Sequence, residues 1–263
     1  MSTAGKYLGL FLGYFHVNAK ELLEYRVSSL IALFGSLLNS AIWLVFWWVF
    51  FKRFPNISEW QFVHLFTIWA VLNVALALVS VFYNVYKIPA IINEGKLEYY
   101  LVRPKNALFH LLVARMQLID LLEAAIWFIS FIILKPELPA ILLFLLMSAI
   151  SAAIIHGFLL ILGSLGFFLK SADGIGTELY NALITFSTYP NWIFRGAAKW
   201  IIFTVIPAGF ISYVPVQVIY NRVYWWILGS LGFAVLLNVV GCVVFSRGLK
   251  CFETGNTFVL RAD

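Results

Sequence analysis

Three ionisable side chains, Asp120, Glu123 and His156, lie in or beside long apolar stretches of this sequence. A charged group at the centre of a bilayer costs about 2.5–3.5 kcal/mol on insertion scales, so such residues are functional candidates by default. Asp120 and Glu123 are three positions apart and therefore share one face of a helix. Together with His156, they could relay a proton or another cation across a membrane.

A structural role is the alternative for each of these residues. Asp120 and Glu123 would then lie near the water-facing end of their helix, with Arg115 close enough to balance their charge. His156 has small neighbours in the sequence, which is typical of a histidine that forms a hydrogen bond where two helices pack.

Motifs of enzymatic chemistry do not occur in the sequence. It contains no G-x-x-x-x-G-K-[ST] loop to hold nucleotide phosphates, and no HExxH or GxSxG. Its two cysteines, Cys242 and Cys251, form no CxxC or Cys/His cluster, which argues against a disulfide framework and a metal site. We therefore expect neither enzymatic activity nor a bound cofactor, and the energy for any work must come from an ion gradient or another polypeptide.

The elements that would position these residues are apolar helices. The 263 residues are 63% hydrophobic and 11% charged, against roughly 45–50% and about 25% in a soluble domain. This composition predicts a chain embedded in a bilayer. The net charge of +6 is spread over short loops between apolar runs, so we expect the positive residues to face anionic lipid and not nucleic acid.

The apolar periodicity predicts an all-α integral membrane protein, with residues 1–263 forming a single domain. Residues 1–27 carry apolar positions at helical spacing, which predicts an amphipathic helix lying in the membrane interface. Gly5, Gly9 and Gly13 are four apart, so this helix either packs loosely or docks closely on the first spanning helix. Six transmembrane helices follow, at residues 28–51, 61–86, 118–134, 140–169, 176–189 and 223–245.

Residues 190–222 are apolar but interrupted by prolines and by Arg195 and Lys199. Two full spans could turn near those two charges, or the segment could enter the membrane and return on the same side. Six spans with a cytoplasmic N-terminus place twelve of the 18 Lys and Arg residues inside, and a seventh span weakens that positive-inside bias. We therefore predict a re-entrant outer hairpin between spans five and six, with both termini cytoplasmic.

A charged segment, residues 87–105, separates the second and third spans. Pro89 and Pro104 mark its ends, and Gly95 permits a left-handed turn. Between them, apolar residues that could anchor the segment alternate with charged residues that would face water. Connections between packed helices need only about 2–8 residues, so the extra length and the apolar groups predict a docking surface.

Four motifs in this chain resemble those of ABC type-2 exporter permeases, in particular the small permeases encoded beside an ATPase and often a second permease. The charged segment contains INEGKL at 92–97 and LVRP at 101–104. The other three are YPNWIF at 189–194, IPAGFISYVP at 206–215 and RGLKCFETG at 247–255. In the last of these, Cys251, Phe252 and Thr254 replace the more usual residues.

The resemblance implies a permease subunit of an ATP-driven exporter in the plasma membrane of a bacterium. Two permease chains, identical or related, would form the pathway, and separate cytoplasmic ATPase subunits would bind ATP and Mg²⁺. The residues implied in coupling to the ATPase are Asn93, Glu94, Gly95, Lys96, Leu97, Glu98, Arg103 and Pro104. The residues implied in an outer gate are Tyr189, Pro190, Pro207, Tyr213 and Pro215.

Two other functions remain open at the level of sequence. An ion-coupled secondary transporter would use Asp120, Glu123 and His156, and a membrane scaffold would transport nothing. A pathway lined by apolar and aromatic groups would suit a hydrophobic or amphiphilic cargo, such as a lipid, a drug or a peptide.

Overall fold

The computed structural model describes residues 3–54, 60–169 and 172–259. Throughout these ranges the chain consists of α-helices and short 3-10 helices joined by turns. The α-helices, in chain order, are α1 (Thr3–Glu24), α2 (Arg26–Arg53), α3 (Phe62–Ser80), α4 (Ile88–Asn93), α5 (Glu98–Leu101), α6 (Ala107–Val113), α7 (Asp120–Leu134), α8 (Leu138–Ser164), α9 (Ala172–Thr188), α10 (Ala197–Thr204), α11 (Ala208–Ile211), α12 (Tyr213–Ile219) and α13 (Trp225–Val259). The 3-10 helices are Tyr83–Lys87, Leu165–Phe167 and Asn191–Ile193.

Helix α8 forms the centre of the fold, where it packs against α3, α9, α12 and α13. Its contact with α13 is the most extensive and depends on a glycine. A Cβ atom at Gly157 would lie 2.8 Å from the backbone nitrogen of Asn238. Only a residue without a side chain therefore allows the two helices to approach this closely.

Four helical segments within the described residues are long and apolar enough to cross a membrane: Arg26–Arg53, Phe62–Ser80, Leu138–Phe167 and Trp225–Phe252. A fifth span is possible if two further segments, bent by 72° relative to each other, form one broken span: Ala197–Thr204 and Ala208–Ile219. The predicted third and fifth spans correspond to α7 and α9, of 15 and 17 residues. At about 1.5 Å per residue these helices are shorter than the ~30 Å of a hydrocarbon core.

The predicted second span, 61–86, is longer than the helix that forms. Helix α3 ends at Ser80, whose hydroxyl donates to the carbonyl oxygens of Ala77 and Gln117. The chain then turns into the 3-10 helix Tyr83–Lys87, where Asn84 donates to the carbonyl of Leu111. The apolar run extends past the helix because these residues are buried against other parts of the protein.

The N-terminal helix α1 does not dock through its glycines. A Cβ atom at Gly9 or Gly13 would meet nothing within 4 Å. Phe11, Tyr14 and Leu22 instead pack against a small cluster around Met116, between α6 and α7. The contact lies on the face that carries large apolar side chains, since these bury more area than a row of glycines.

Candidate functional site

The charged segment folds as a tight helical hairpin. Helix α4 ends at Asn93, the chain turns over residues 94–97, and α5 begins at Glu98. Gly95 has a φ of +69°, a conformation that favours glycine. Backbone hydrogen bonds from Gly95 to Ile92 and from Lys96 to Ile91, of 3.1 and 3.0 Å, close the turn.

Apolar side chains anchor the base of this hairpin. Ile91 and Ile92 are buried, and Leu97, a predicted coupling residue, is 0% exposed. The base also fits against the end of α8, where a Cβ atom at Gly163 would lie 2.9 Å from the Cβ of Ile88. Leu97 is therefore an anchor of the hairpin, and its side chain is not accessible to a partner.

The tip of the hairpin is polar and exposed. Five of the predicted coupling residues form it: Asn93, Glu94, Gly95, Lys96 and Glu98. Lys96 Nζ lies 2.5 Å from Glu94 Oε2, with both side chains more than half exposed. Such a pair contributes little to stability, so its charges are available for recognition by another protein.

The last two predicted coupling residues are bonded to other parts of their own chain, although Pro104 is exposed. Arg103 donates a hydrogen bond to the Tyr14 hydroxyl and lies with its guanidinium carbon 4.7 Å from the ring centre of Tyr99. The Tyr14 hydroxyl is also 3.0 Å from His110 Nδ1, and His110 Nε2 is 3.1 Å from the carbonyl oxygen of Pro104. Arg103 and Pro104 therefore connect the hairpin to α1 and α6.

A second connection also joins the hairpin to α1. Lys105 Nζ donates to the carbonyl oxygen of Lys6 at 3.0 Å and lies 4.9 Å from the ring centre of Tyr7. Tyr14 and His110 were not predicted as site residues. They are 96 positions apart, and no local pattern in the sequence links them.

Two of the predicted intramembrane polar residues, Asp120 and Glu123, line one cavity of about 500 Å³ between α2, α3, α7, α8 and α9. Glu123 is buried and accepts hydrogen bonds from Ser36 Oγ at 2.8 and 2.7 Å and from Trp127 Nε1 at 3.4 Å. Asp120 is half-buried beside Ser80 and Gln117. Arg115, expected to balance the two carboxylates, is exposed and forms no ion pair with either in the described structure.

Tyrosines form another wall of this cavity. Tyr86 lies with its ring centre 5.7 Å from that of Tyr83 and 5.3 Å from that of Tyr180. Two main causes hold the pKa of the Tyr86 hydroxyl well above its ordinary value: burial, which is the larger, and the neighbouring Tyr180. This group therefore stays neutral. Sequence reasoning did not select these tyrosines, since Tyr180 reaches the others only through the fold.

His156 lies elsewhere, where α8 crosses α13. Its Nδ1 is 2.8 Å from Asn238 Oδ1, while Asn238 Nδ2 donates to the carbonyl oxygens of Ala153 and Ala234 at 2.8 Å. His156 does not line the cavity that holds the two carboxylates. The structure therefore does not bring the three residues of the ion-relay hypothesis together.

The residues expected to form an outer gate differ in exposure. Pro190, Pro207 and Pro215 are buried. Tyr213 packs edge-on against Phe203, with ring centres 6.1 Å apart, and Tyr189 is exposed. Pro190 and Pro207 thus lie at turns just before short helices, Pro215 lies in the first turn of α12, and none of the three side chains is accessible from outside.

Comparison with known families gives a match over most of the chain. Residues 37–255 match the family described as ABC-2 family transporter protein. No curated protein and no solved structure matches the sequence. The match contains the hairpin, the cavity residues of α3, α7, α8 and α9, and the segment of short helices. The chain therefore belongs to the ABC-2 family of transporter permeases, which are multi-pass membrane proteins that work with an ABC ATPase.

Proposed function

We propose that this chain is the permease subunit of an ATP-driven exporter, and that a separate ATPase acts on the hairpin formed by residues 87–105. One observation carries the proposal: a charged, exposed tip, Asn93 to Lys96, stands on a base whose apolar side chains Ile88, Ile91, Ile92 and Leu97 are buried in the protein. A connecting loop does not need a buried base. A segment that transmits force does, because its displacement must move the helices to which it is attached.

The packing of the hairpin suggests which helix would move. Its base contacts the end of α8 through Ile88 at Gly163, and a Cβ atom at Gly166 would lie 3.1 Å from Pro89 Cα. ATP, held with Mg²⁺ by the partner subunits, would favour one arrangement of the hairpin. The difference in affinity of the ATPase for the two arrangements would drive the change.

A second permease chain, identical or related, is part of the proposal. Only Ser40, Trp47 and Phe51 are buried in α2, and its exposed face carries large apolar side chains such as Ile31 and Phe34. Lipid and a second chain can both cover such a face. Two chains meeting there would create a pathway between them, suited to a hydrophobic or amphiphilic cargo.

The proposed arrangement in the membrane keeps six spans and cytoplasmic termini, in the plasma membrane of a bacterium. Helices α7 and α9 would cross with local thinning of the bilayer or with the adjoining turns at its surface. The bent helices of residues 190–222 would form a re-entrant outer hairpin and an outward gate. Exposed Trp200 on α10 and Val205 just after it would suit such a position at the membrane surface.

The test is a double substitution at the hairpin tip, Glu94→Lys with Gly95→Pro, in the permease co-expressed with the ATPase encoded beside it. Proline cannot adopt the positive φ of Gly95, and lysine reverses the charge. We expect the ATPase to be lost from the purified complex and its hydrolysis of ATP to become independent of the permease.

The control is Glu137→Lys, which makes the same charge change at an exposed site before α8. It should leave the complex and its ATP hydrolysis unchanged. An intact, fully active complex with the double substitution would contradict the proposal.

A further inference from the structure

The cavity beside the force-transmitting hairpin has the size of a ligand site. Its volume is about 500 Å³, within the roughly 300–1,000 Å³ of sites for small organic molecules. Five helices form its walls, and Lys87 and Pro89, at the start of the hairpin, form its edge. A molecule in the cavity would therefore contact both the helices and the hairpin.

The charges around the cavity favour a cation. Asp120 and Glu123 contribute two carboxylates, whereas Lys87, an exposed residue, contributes the one ammonium group among the lining residues. Ser36 and Trp127 already donate hydrogen bonds to Glu123. Asp120, on the preceding turn of α7, is bonded to Ser80 and Gln117 but only half-buried, so it is the carboxylate with accessible surface to pair with a ligand.

The tyrosines support the same conclusion independently of the carboxylates. Tyr83, Tyr86 and Tyr180 all line the cavity, and the ring of Tyr86 is within contact distance of the other two. Aromatic faces attract organic cations, and a cation removed from water gains most from them. Leu76, Leu159 and Leu162 supply apolar wall for the rest of the molecule.

We propose that this cavity binds an organic cation with an apolar body, and that Asp120 and the tyrosines Tyr83, Tyr86 and Tyr180 recognise its positive charge. The statement that this ligand is the exported cargo rests on the proposed function. The statement that the cavity binds the ligand does not. The inference narrows the cargo from any amphiphile to one that carries a positive charge.

The experiment measures binding without ATP or an ATPase. The full chain is reconstituted in nanodiscs of phosphatidylcholine, and rhodamine 6G, a lipophilic cation, is titrated by fluorescence anisotropy against empty discs. Nile red serves as a neutral probe of similar size.

We expect saturable rhodamine binding, and Asp120→Asn should weaken it roughly tenfold while Nile red partitioning stays unchanged. Glu137→Gln, at an exposed carboxylate outside the cavity, is the matched control and should bind rhodamine like the parent chain.

A second variant keeps the proposal testable if Asp120→Asn does not fold. Lys87→Gln removes the competing positive charge at an exposed position, so it should tighten rhodamine binding by about threefold. Any one of three results would overturn the inference: unchanged or weaker binding in Lys87→Gln, parent-like binding in Asp120→Asn, or no binding above that of empty discs. A functioning exporter without cation binding would contradict this inference alone, and cation binding without ATP coupling would contradict only the proposed function.

Discussion

Two short segments that contain prolines interrupt the long helices: the hairpin of residues 87–105 and the outer segment of residues 190–222. They differ in which side chains they bury and which they expose. The hairpin buries Ile88, Ile91, Ile92 and Leu97 at its base and exposes a charged tip, and its exposed apolar side chains are Tyr99 and Val102. The outer segment buries its prolines and exposes large apolar side chains, with Trp200 75% exposed. The difference supports the proposal that the first segment meets a protein partner and that the second lies at the membrane surface.

The largest effect should come from the buried base of the hairpin. Leu97→Ala removes a fully buried side chain and should cost about 2–5 kcal/mol of stability, because a cavity remains. Thermal unfolding of the purified protein measures this. Val102→Ala, at a position that is 83% exposed, should change stability by less than about 0.5 kcal/mol. Equal effects would mean that Leu97 is not a packed anchor of the hairpin.

The outer segment should respond most to added volume. A Cβ atom at Gly209 would lie 2.6 Å from the ring of Phe203, so Gly209→Ala should destabilise by about 1–3 kcal/mol. The control is Gly229→Ala in α13, where an added Cβ meets nothing within 4 Å and alanine is the better helix former. A neutral Gly209→Ala variant would show that α10 and α11 are not firmly packed.

The connection between the hairpin and α1 should have an intermediate effect. Tyr14→Phe removes the hydroxyl that accepts from Arg103 and contacts His110, at a cost of about 1 kcal/mol. If the connection positions the tip, ATP hydrolysis in the complex should also fall more than stability alone explains. Tyr25→Phe, at an exposed tyrosine, should change neither quantity.

The smallest change in stability should come from the tip itself. Exchanging its charges, Glu94→Lys with Lys96→Glu, preserves an exposed ion pair and should alter stability by less than about 0.5 kcal/mol. Affinity for the ATPase should nevertheless fall, because the charge pattern is reversed. Unchanged affinity, measured by titration of the ATPase onto the permease, would mean that the tip charges are not recognised.

Sequence reasoning located the helices better than their ends and their contacts. It placed spans at α2, α3, α7, α8, α9 and α13, since each is a long apolar run. It extended the second span past Ser80, because residues buried in protein and residues buried in lipid are equally apolar. It assigned Arg103 to coupling, and it gave no sign that Arg103 also bonds to Tyr14 of its own chain.

The sequence by itself determined that this chain is an apolar, all-helical membrane protein, because composition and a 3.6-residue period follow directly from the residue order. It also determined the family, through motifs whose spacing is local. Only the tertiary structure decided that Asp120, Glu123 and Tyr180 share a cavity while His156 does not, and that Leu97 is an anchor. Such groupings depend on how helices far apart in the chain cross, and the close approaches at Gly157 and Gly163 that set those crossings leave no periodic signal in the sequence.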